Sequence, residues 1–293
     1  MKKGFYTALG TPTDMNGDIC AASMAEQIEQ QIEAGASGLL VMGSMGKMTY
    51  LKNETYPKVA EVSAKAAKGR VPVLVGVTDV SIGRVKDRID ALNGIEGIDG
   101  IVSTVPYYST VNQDEIYNFY NEIAKYSKVP VYLYDLPGVT KSATAPTTVQ
   151  KLWKNSNIKG IKSGNMVTHR LLMGMEDRPS DFDMMFSNLD EFDIAYKYGI
   201  DKNLDGMFAC TPKNAKVMYE ALASDDMETA RVALDNILGL RNLFLATPCL
   251  FKAFTEAMNL IGCEGDFAYD YQSPLPETDK ERVKAFMKQI GEI

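Results

Sequence analysis

Apolar runs rich in β-branched residues recur along the first half of the chain, each close to a glycine or a proline. Five of them start at positions 38, 71, 100, 129 and 158, which are 33, 29, 29 and 29 residues apart. The runs lack strict alternation of apolar and polar residues, which is typical of strands buried on both faces. A spacing of about 30 residues is the length of one strand, one helix and their loops. The pattern therefore predicts a repeated βα unit.

Amphipathic helices are predicted between these strands. The segment 23–26 has the pattern of a capping box, Met24 and Ile28 share one helical face, and Gly35 is placed to end the helix in the left-handed conformation. Ser81 likewise precedes an apolar helical periodicity. The strands are therefore expected to alternate with helices.

Further strands predicted at 4–9, 181–186 and 205–209 bring the number of βα units to eight. Eight units predict an α/β fold of the closed (β/α)8 type, a TIM barrel. The alternative is an open, doubly wound sheet. That fold is disfavoured because no Gly-x-Gly-x-x-Gly turn follows an early strand and no phosphate-binding loop ends in Gly-Lys-Ser/Thr.

From about residue 225 the pattern changes to helices only. Helical periodicity covers 227–238, 240–244 and 251–260, and a last helix is expected after Pro276. No Gly/Ser/Pro-rich linker precedes these helices. We therefore expect a barrel over residues 1–224 and a C-terminal helical extension over residues 225–293 that packs on it.

Charge and composition exclude several classes of protein. The 293 residues are 45% hydrophobic and 24% charged, as in ordinary globular proteins, and the formal net charge is −7. An acidic chain is a poor partner for the phosphate backbone, so no nucleic-acid binding is expected. Neither a signal peptide nor an apolar run long enough for a membrane span is found, which predicts a cytoplasmic protein.

Cysteine and histidine offer little chemistry. The four cysteines contain no Cys-x-x-Cys pair and are expected to be free thiols. The one histidine, His169, lies in a predicted helix and is expected to have a surface or packing role. A His-rich metal site is therefore impossible, and we expect neither a metal nor a cofactor.

The reacting groups of such a barrel lie where its strands end at the carboxyl side. Lys162 ends the predicted sixth strand, where burial would lower its pKa and free a neutral amine to attack a ketone. The alternative is a lysine that pairs with a carboxylate or reaches solvent. Tyr134 ends the preceding strand and could transfer protons, with Ser44 and Tyr108 extending the relay. Each aromatic, taken singly, is better explained as a core residue, but their joint placement on neighbouring strand ends weakens that explanation.

A tight turn, Gly43-Ser44-Met45-Gly46, follows the second predicted strand. Consecutive backbone N–H groups in such turns form small concavities that suit a carboxylate. The backbone of Met45 and Gly46 is thus a candidate substrate-binding element, although Gly-x-x-Gly turns also join strands to helices for structural reasons. We add Ala209, the last residue of the predicted eighth strand, as a candidate substrate-binding position.

Taken in order, these motifs resemble the N-acetylneuraminate lyase and dihydrodipicolinate synthase family of Schiff-base-forming aldolases. The resemblance runs nearly from end to end and is carried by the five segments 8–12, 43–46, 106–108, 134–138 and 160–162. It implies a TIM barrel with C-terminal helices, commonly a homotetramer built as a dimer of dimers. The implied partners are a small 2-keto acid and an aldehyde.

The resemblance also implies roles for individual residues. Lys162 would form the imine with pyruvate or another 2-keto acid, and Tyr134 would be the acid/base. Ser44 occupies the position of the relay hydroxyl. Tyr108 matches the tyrosine that completes the relay, which some members supply from a neighbouring subunit. The backbone of the Ser44–Met45 turn would hold the keto-acid carboxylate.

Departures from the family's motifs bear on the substrate. Met45 stands where the family has a second hydroxyl residue, and Lys47 replaces its glutamate. Synthases of the family carry an arginine for the aldehyde's acid group where this chain has Val139, and an asparagine where it has Asp135. These departures disfavour the synthase hypothesis.

An acidic pair, Asp190 and Glu191, matches the residues that contact the polyhydroxylated tail of the substrate in sialic-acid lyases. Both could instead be acids at a helix N-terminus. The first hypothesis is therefore a carbon–carbon lyase that reversibly cleaves a 2-keto acid, such as a sugar-derived one, to pyruvate and an aldehyde. The alternatives are a dihydrodipicolinate-type synthase, a keto-deoxy-sugar-acid dehydratase that uses the same imine, and a barrel that binds a keto acid without catalysis.

Overall fold

Eight parallel strands close into a barrel in the order of the sequence, β1 to β8. The structure is a computed structural model that describes residues 1–293. The strands are β1 Gly4–Ala8, β2 Gly38–Val41, β3 Val73–Gly76, β4 Gly100–Ser103, β5 Val131–Asp135, β6 Ile158–Ser163, β7 Asp183–Phe186 and β8 Lys202–Asp205. The predicted TIM barrel is confirmed.

Helices connect the strands and then continue beyond the barrel. They are α1 Ala21–Glu33, α2 Tyr56–Ala67, α3 Ile82–Asp90, α4 Gln113–Tyr126, α5 Pro137–Thr140, α6 Pro146–Leu152, α7 Met166–Met173, α8 Phe192–Lys197, α9 Pro212–Ala223, α10 Met227–Leu245, α11 Leu250–Leu260 and α12 Glu277–Gln289. Short 3₁₀ helices cover Met48–Tyr50, Leu189–Glu191 and Met207–Ala209. None of the helices is long and apolar enough to cross a membrane.

The barrel interior is a small apolar core of its own. It is formed by Tyr6, Ala8, Leu40, Leu74, Val102, Tyr132, Tyr134, Met185 and Leu204. The strand β6 adds no hydrophobic residue to this core. Tyr132 pairs with Gly160 and Tyr134 with Lys162, and paired residues of parallel strands point to the same face. The side chain of Lys162 is therefore directed into the barrel, next to Tyr134.

The predicted eighth strand, 205–209, is wrong. The strand is Lys202–Asp205, which pairs with β1 from Gly4↔Lys202 to Thr7↔Asp205. No apolar run marks this strand, because its sequence, Lys-Asn-Leu-Asp, contains a single apolar residue. Residues Met207–Ala209 form a 3₁₀ helix instead, and the carboxylate of Asp205 accepts the N–H of Met207 at 2.8 Å as the chain turns.

Two details of the predicted helices are also wrong. Helix α1 begins at Ala21, so Ser23 lies inside it, buried and without a capping hydrogen bond. The predicted break near residue 239 does not occur, since α10 runs unbroken from Met227 to Leu245. Gly239 is tolerated there because the ring of Phe286 from α12 packs over it, at 2.6 Å from the place of a Cβ. Ser81, by contrast, caps α3 as predicted, accepting the N–H of Arg84 at 3.3 Å.

The C-terminal helices share a core with the last barrel units. One buried cluster joins Phe5 and Phe186 of the barrel to Phe244 and Phe254 of α10 and α11. Because this interface is apolar and continuous, α10 is fixed against the barrel. Its residues can then reach the mouth where the strands end.

Candidate active site

Three of the predicted catalytic groups meet at the carboxyl ends of β2, β5 and β6. The ammonium nitrogen of Lys162 lies 3.7 Å from the centroid of the Tyr134 ring, and the Tyr134 hydroxyl lies 3.1 Å from Ser44 Oγ. Only 7% of Lys162 and 6% of Tyr134 is exposed. The site thus brings together an amine, a phenol and an aliphatic hydroxyl in a largely dry position.

The turn after β2 is held by backbone constraints. Met42 adopts the left-handed conformation with φ of 54°. A Cβ on Gly46 would lie 2.7 Å from the Met42 nitrogen and 2.9 Å from the Leu9 carbonyl oxygen, so only glycine fits. Thr11 donates its hydroxyl to the Gly46 carbonyl at 2.8 Å. These contacts fix the turn so that Ser44 faces Tyr134.

The side chain of Met45 lies across the start of the loop after β8. A Cβ on Gly206 would collide with it, so the two residues are packed face to face. An apolar thioether therefore occupies the wall where the family motif has a hydroxyl.

Ala209 is fully buried, in the 3₁₀ helix that follows β8. Its carbonyl accepts a hydrogen bond from Gln31 Nε2 at 3.3 Å. It lies there because β8 ends four residues earlier than predicted, which leaves Asp205 at the strand end. Substrate binding by Ala209 stays a prediction.

Asp205 is a site residue that the sequence analysis missed. The misplaced eighth strand had assigned it to the opposite end of the barrel. Its carboxylate is partly buried, and burial raises its pKa, while the positive charges of Lys162 and Arg241 act to lower it. The Asp-Gly pair that follows the short polar strand was the available signal for a strand end.

Arg241 was missed as well. It projects from α10 and donates both terminal nitrogens to Asp190, at 2.5 and 2.8 Å. This bidentate ion pair holds the pKa of the Asp190 carboxyl below its usual range. No sequence pattern places a helical arginine 51 residues later beside Asp190, because the contact depends on how the extension packs.

The acidic pair Asp190 and Glu191 lies in the 3₁₀ helix after β7. Asp190 is exposed and Glu191 is half-buried. Both are thus at the mouth, as a tail-binding role requires, but Asp190 already holds Arg241. The pair presents guanidinium donors together with carboxylate acceptors.

Tyr108 stands apart from the other candidates. Its side chain is 90% exposed, in the loop after β4, so it is not packed against Ser44 and Tyr134 within the chain. The structure of the single chain therefore leaves this hydroxyl outside the relay.

His169 and Asp135 both contact Ser163, the residue that follows Lys162. His169 is buried on α7 with Nε2 at 2.9 Å from the Ser163 carbonyl, and burial lowers its pKa to about 4. It therefore packs in the interior, where burial favours the neutral imidazole. Asp135 accepts from the Thr144 N–H at 2.9 Å and from the Ser163 hydroxyl at 3.0 Å, which joins the ends of β5 and β6. No group of three or more His, Cys, Asp or Glu side chains is arranged to hold a metal ion.

A buried lysine that ends a barrel strand beside a tyrosine and a serine is the arrangement of a Schiff-base-forming aldolase. Comparison with known proteins identifies the family. The model of the dihydrodipicolinate synthetase family matches residues 1–293. The chain belongs to this family, and with it to the carbon–carbon lyases that bind pyruvate as a Schiff base.

Relatives and solved structures agree over the full length. The chain is 28% identical to the 4-hydroxy-tetrahydrodipicolinate synthase of Bartonella bacilliformis, covering 100% of this chain and 99% of that protein. It is 29% identical to that of Syntrophus aciditrophicus, covering 100% of both. A prophage protein of the same family from Escherichia coli, solved with pyruvate, superposes with a TM-score of 0.90 at 22% identity and full coverage of both chains. At that identity the likeness shows the fold.

Proposed function

We propose that the chain reversibly cleaves a 2-keto acid to pyruvate and an aldehyde through an imine at Lys162. The observation that carries the proposal is that buried Lys162 and Tyr134 lie together with half-buried Ser44. An amine there is close to a group able to give and take protons. These are the two requirements of imine chemistry.

The reaction divides into balanced steps. The neutral Lys162 amine adds to the ketone carbon, and the carbinolamine loses its oxygen as water when Tyr134 supplies a proton. The protonated imine then withdraws electrons, so the C3–C4 bond of the keto acid breaks and leaves an enamine. Tyr134 takes the proton of the C4 hydroxyl as the aldehyde forms, with Ser44 as its relay partner. Protonation at C3 and hydrolysis release pyruvate and the free amine.

The keto-acid carboxylate would lie against the Met45 and Gly46 backbone. This assignment is supported by the tight turn and by the rigidity that Gly46 and Thr11 give it. Met45 contributes its N–H but no hydroxyl. One hydrogen bond to the carboxylate is thereby lost relative to the family's motif.

The tail of the substrate would meet Asp190, Glu191, Asp205 and Arg241. Three carboxylates and one guanidinium make a poor site for a second acid group but offer paired donors and acceptors to hydroxyls. A polyhydroxylated aldehyde is therefore the preferred product. The position that would hold the synthase's arginine is Val139, which is 49% exposed and offers no charge.

A synthase that condenses pyruvate with an acidic aldehyde is the second candidate. It is favoured by the relatives, since those of Bartonella bacilliformis and Syntrophus aciditrophicus are both named 4-hydroxy-tetrahydrodipicolinate synthase. Assays of pyruvate consumption with an acidic aldehyde, and of pyruvate release from sugar-derived keto acids, separate the two. A dehydratase would release water from the keto acid without releasing pyruvate.

The first test is covalent trapping. Incubation with pyruvate and borohydride, followed by intact-mass and peptide-mapping spectrometry, should place a reduced adduct on Lys162. Lys162→Ala should lose the adduct, because the amine is gone. An adduct that persists in this variant would remove the proposed role of Lys162, and trapping without any turnover would favour a barrel that only binds keto acids.

A further inference from the structure

A segment of the C-terminal extension is paired with the loop that follows β1. The N–H of Thr13 donates to the Asp266 carbonyl at 3.0 Å, and the N–H of Asp266 donates to the Thr13 carbonyl at 2.9 Å. Asp266 is further fixed by Lys252 of α11, whose ammonium lies 2.6 Å from its carboxylate. The two segments thus form one rigid ridge outside the barrel mouth.

Lys47 reaches this ridge from the turn that carries Ser44. It lies three residues after Ser44 in the left-handed conformation, with φ of 64°, and is only 5% exposed. Its ammonium donates to Thr13 Oγ1 at 2.6 Å and to the Asp266 carbonyl at 2.7 Å. Both acceptors are uncharged, and the ammonium has no carboxylate within 4.0 Å.

A buried ammonium without an ion pair is costly to keep. An apolar residue of similar length would fill the space without desolvating a charge. Lysine in this position therefore offers something that an apolar residue lacks. What it contributes is a pair of donors that join two backbone segments to the active-site turn.

The turn connects Lys47 on its outer side with Ser44 on its inner side. Lys47 holds the outer side, while Ser44 on the inner side lies 3.1 Å from the Tyr134 hydroxyl. A hydrogen bond weakens steeply with distance and angle, so a small rotation of the turn would break the Ser44–Tyr134 contact. The family motif has glutamate at this position, and an ionised carboxylate cannot donate to either acceptor.

We propose that Lys47 is a positioning residue that fastens the Ser44 turn to the Thr13–Asp266 ridge and so keeps Ser44 aligned with Tyr134. The proposal rests on the proposed function, because it assigns Lys47 to the proton transfer at that site. It makes the C-terminal extension a working part of the active site. The imine-forming amine itself is not involved.

The test uses pyruvate alone, since enamine formation exchanges the methyl protons of pyruvate with deuterium from D2O. Lys47→Met should slow this exchange at least about 10-fold, as expected for a weakened proton relay. The final yield of the trapped imine should be unchanged. Amide hydrogen exchange over residues 42–48 should accelerate by a similar factor, while the unfolding midpoint stays the same or rises. A merely structural role would not spare stability in this way.

Lys52→Met is the matched control. Lys52 lines the same cavity as Lys47 but is 45% exposed, and it contacts Asn16 and Asp18. The Lys52→Met variant should exchange both the pyruvate methyl protons and the amides of residues 42–48 at the wild-type rates. Thr13→Val, which removes one acceptor of Lys47 with little change in volume, should slow methyl exchange and speed amide exchange of the turn as Lys47→Met does. It covers the case in which Lys47→Met folds poorly.

Each outcome supports or overturns the proposal. Wild-type rates of methyl exchange in both Lys47→Met and Thr13→Val overturn the proposal, even where the amides of the turn exchange faster. Wild-type rates of amide exchange over residues 42–48 in both variants would show that Lys47 does not fasten the turn. If the wild-type protein itself forms no trapped imine, the proposed function fails, and amide exchange alone still tests the link between Lys47 and the turn.

Discussion

At the scale of residues, the site depends on environments more than on residue types. Lys162 and Lys47 are both buried lysines, yet one faces the aromatic ring of Tyr134 and the other faces two oxygen acceptors. In our proposals, Lys162 reacts with the keto acid and Lys47 holds the turn. Position within the fold separates these roles, because side-chain chemistry alone does not.

Replacing Tyr134 by phenylalanine removes the phenol and keeps the ring that packs over Lys162. Imine formation with pyruvate should still reach the wild-type endpoint, while exchange of the pyruvate methyl protons should slow roughly 100-fold or more. Methyl exchange followed by NMR in D2O provides the rate. An unchanged rate would reject Tyr134 as the acid/base.

The buried Lys47 also predicts how stability depends on pH. Burial, helped by the charge of Lys252 and opposed by Asp266 and Asp270, lowers the pKa of Lys47 from 10.5 to about 8. Between these two pH values the unfolded chain holds a proton that the folded chain has released, so stability rises with pH. The gain is about 3 kcal/mol across the whole window.

Urea unfolding of the wild type and of Lys47→Met, compared from pH 7.5 to 10, measures this gain. The difference in unfolding free energy should shift toward the wild type as pH rises, and Lys52→Met should follow the wild type. A constant difference between wild type and Lys47→Met would mean that Lys47 keeps its ordinary pKa.

At the scale of elements, the strand ends decide which residues form the site. The βα spacing predicted seven strands near their places, and with them the position of Lys162 beside Tyr134. The prediction placed β8 too late in the chain because Lys-Asn-Leu-Asp has no apolar run. The position of β8 is set by its pairing with β1, and a local sequence pattern carries no information about that pairing. The same error placed Asp205 at the start of the predicted strand, although it ends the strand in the structure. Arg241 was out of reach for a different reason, since its contact with Asp190 depends on long-range packing of α10.

Gly46 shows how tightly the turn after β2 is constrained. Gly46→Ala would place a Cβ against two backbone atoms that cannot move away, so it should destabilise the fold by about 3 kcal/mol and disturb the Ser44–Tyr134 contact. Gly83→Ala is the control, because nothing lies near its Cβ and alanine favours the α3 helix, with a gain of up to about 1 kcal/mol. Chemical denaturation of both variants checks the prediction, and equal stabilities would contradict it.

At the scale of the whole molecule, the exposed Tyr108 raises the question of assembly. Because Tyr108 is 90% exposed in the single chain, its hydroxyl can join the relay only if another surface covers it. We propose that a second copy does so, within a homotetramer built as a dimer of dimers. Sedimentation should then show an oligomer, and a monomer that forms enamine at full rate would exclude a role for Tyr108 across an interface.

Mixed dimers test this role directly. Lys162→Ala lacks the imine and Tyr108→Phe lacks the relay hydroxyl, so each variant alone should exchange pyruvate methyl protons slowly. In a mixed dimer, the site of the Tyr108→Phe chain keeps its own lysine and receives an intact tyrosine from the other chain. Random mixing makes half of the dimers mixed, each with one complete site in two, so activity should return to about a quarter of the wild-type value. If Tyr108 served its own chain, every site in the mixture would lack one group and no activity would return.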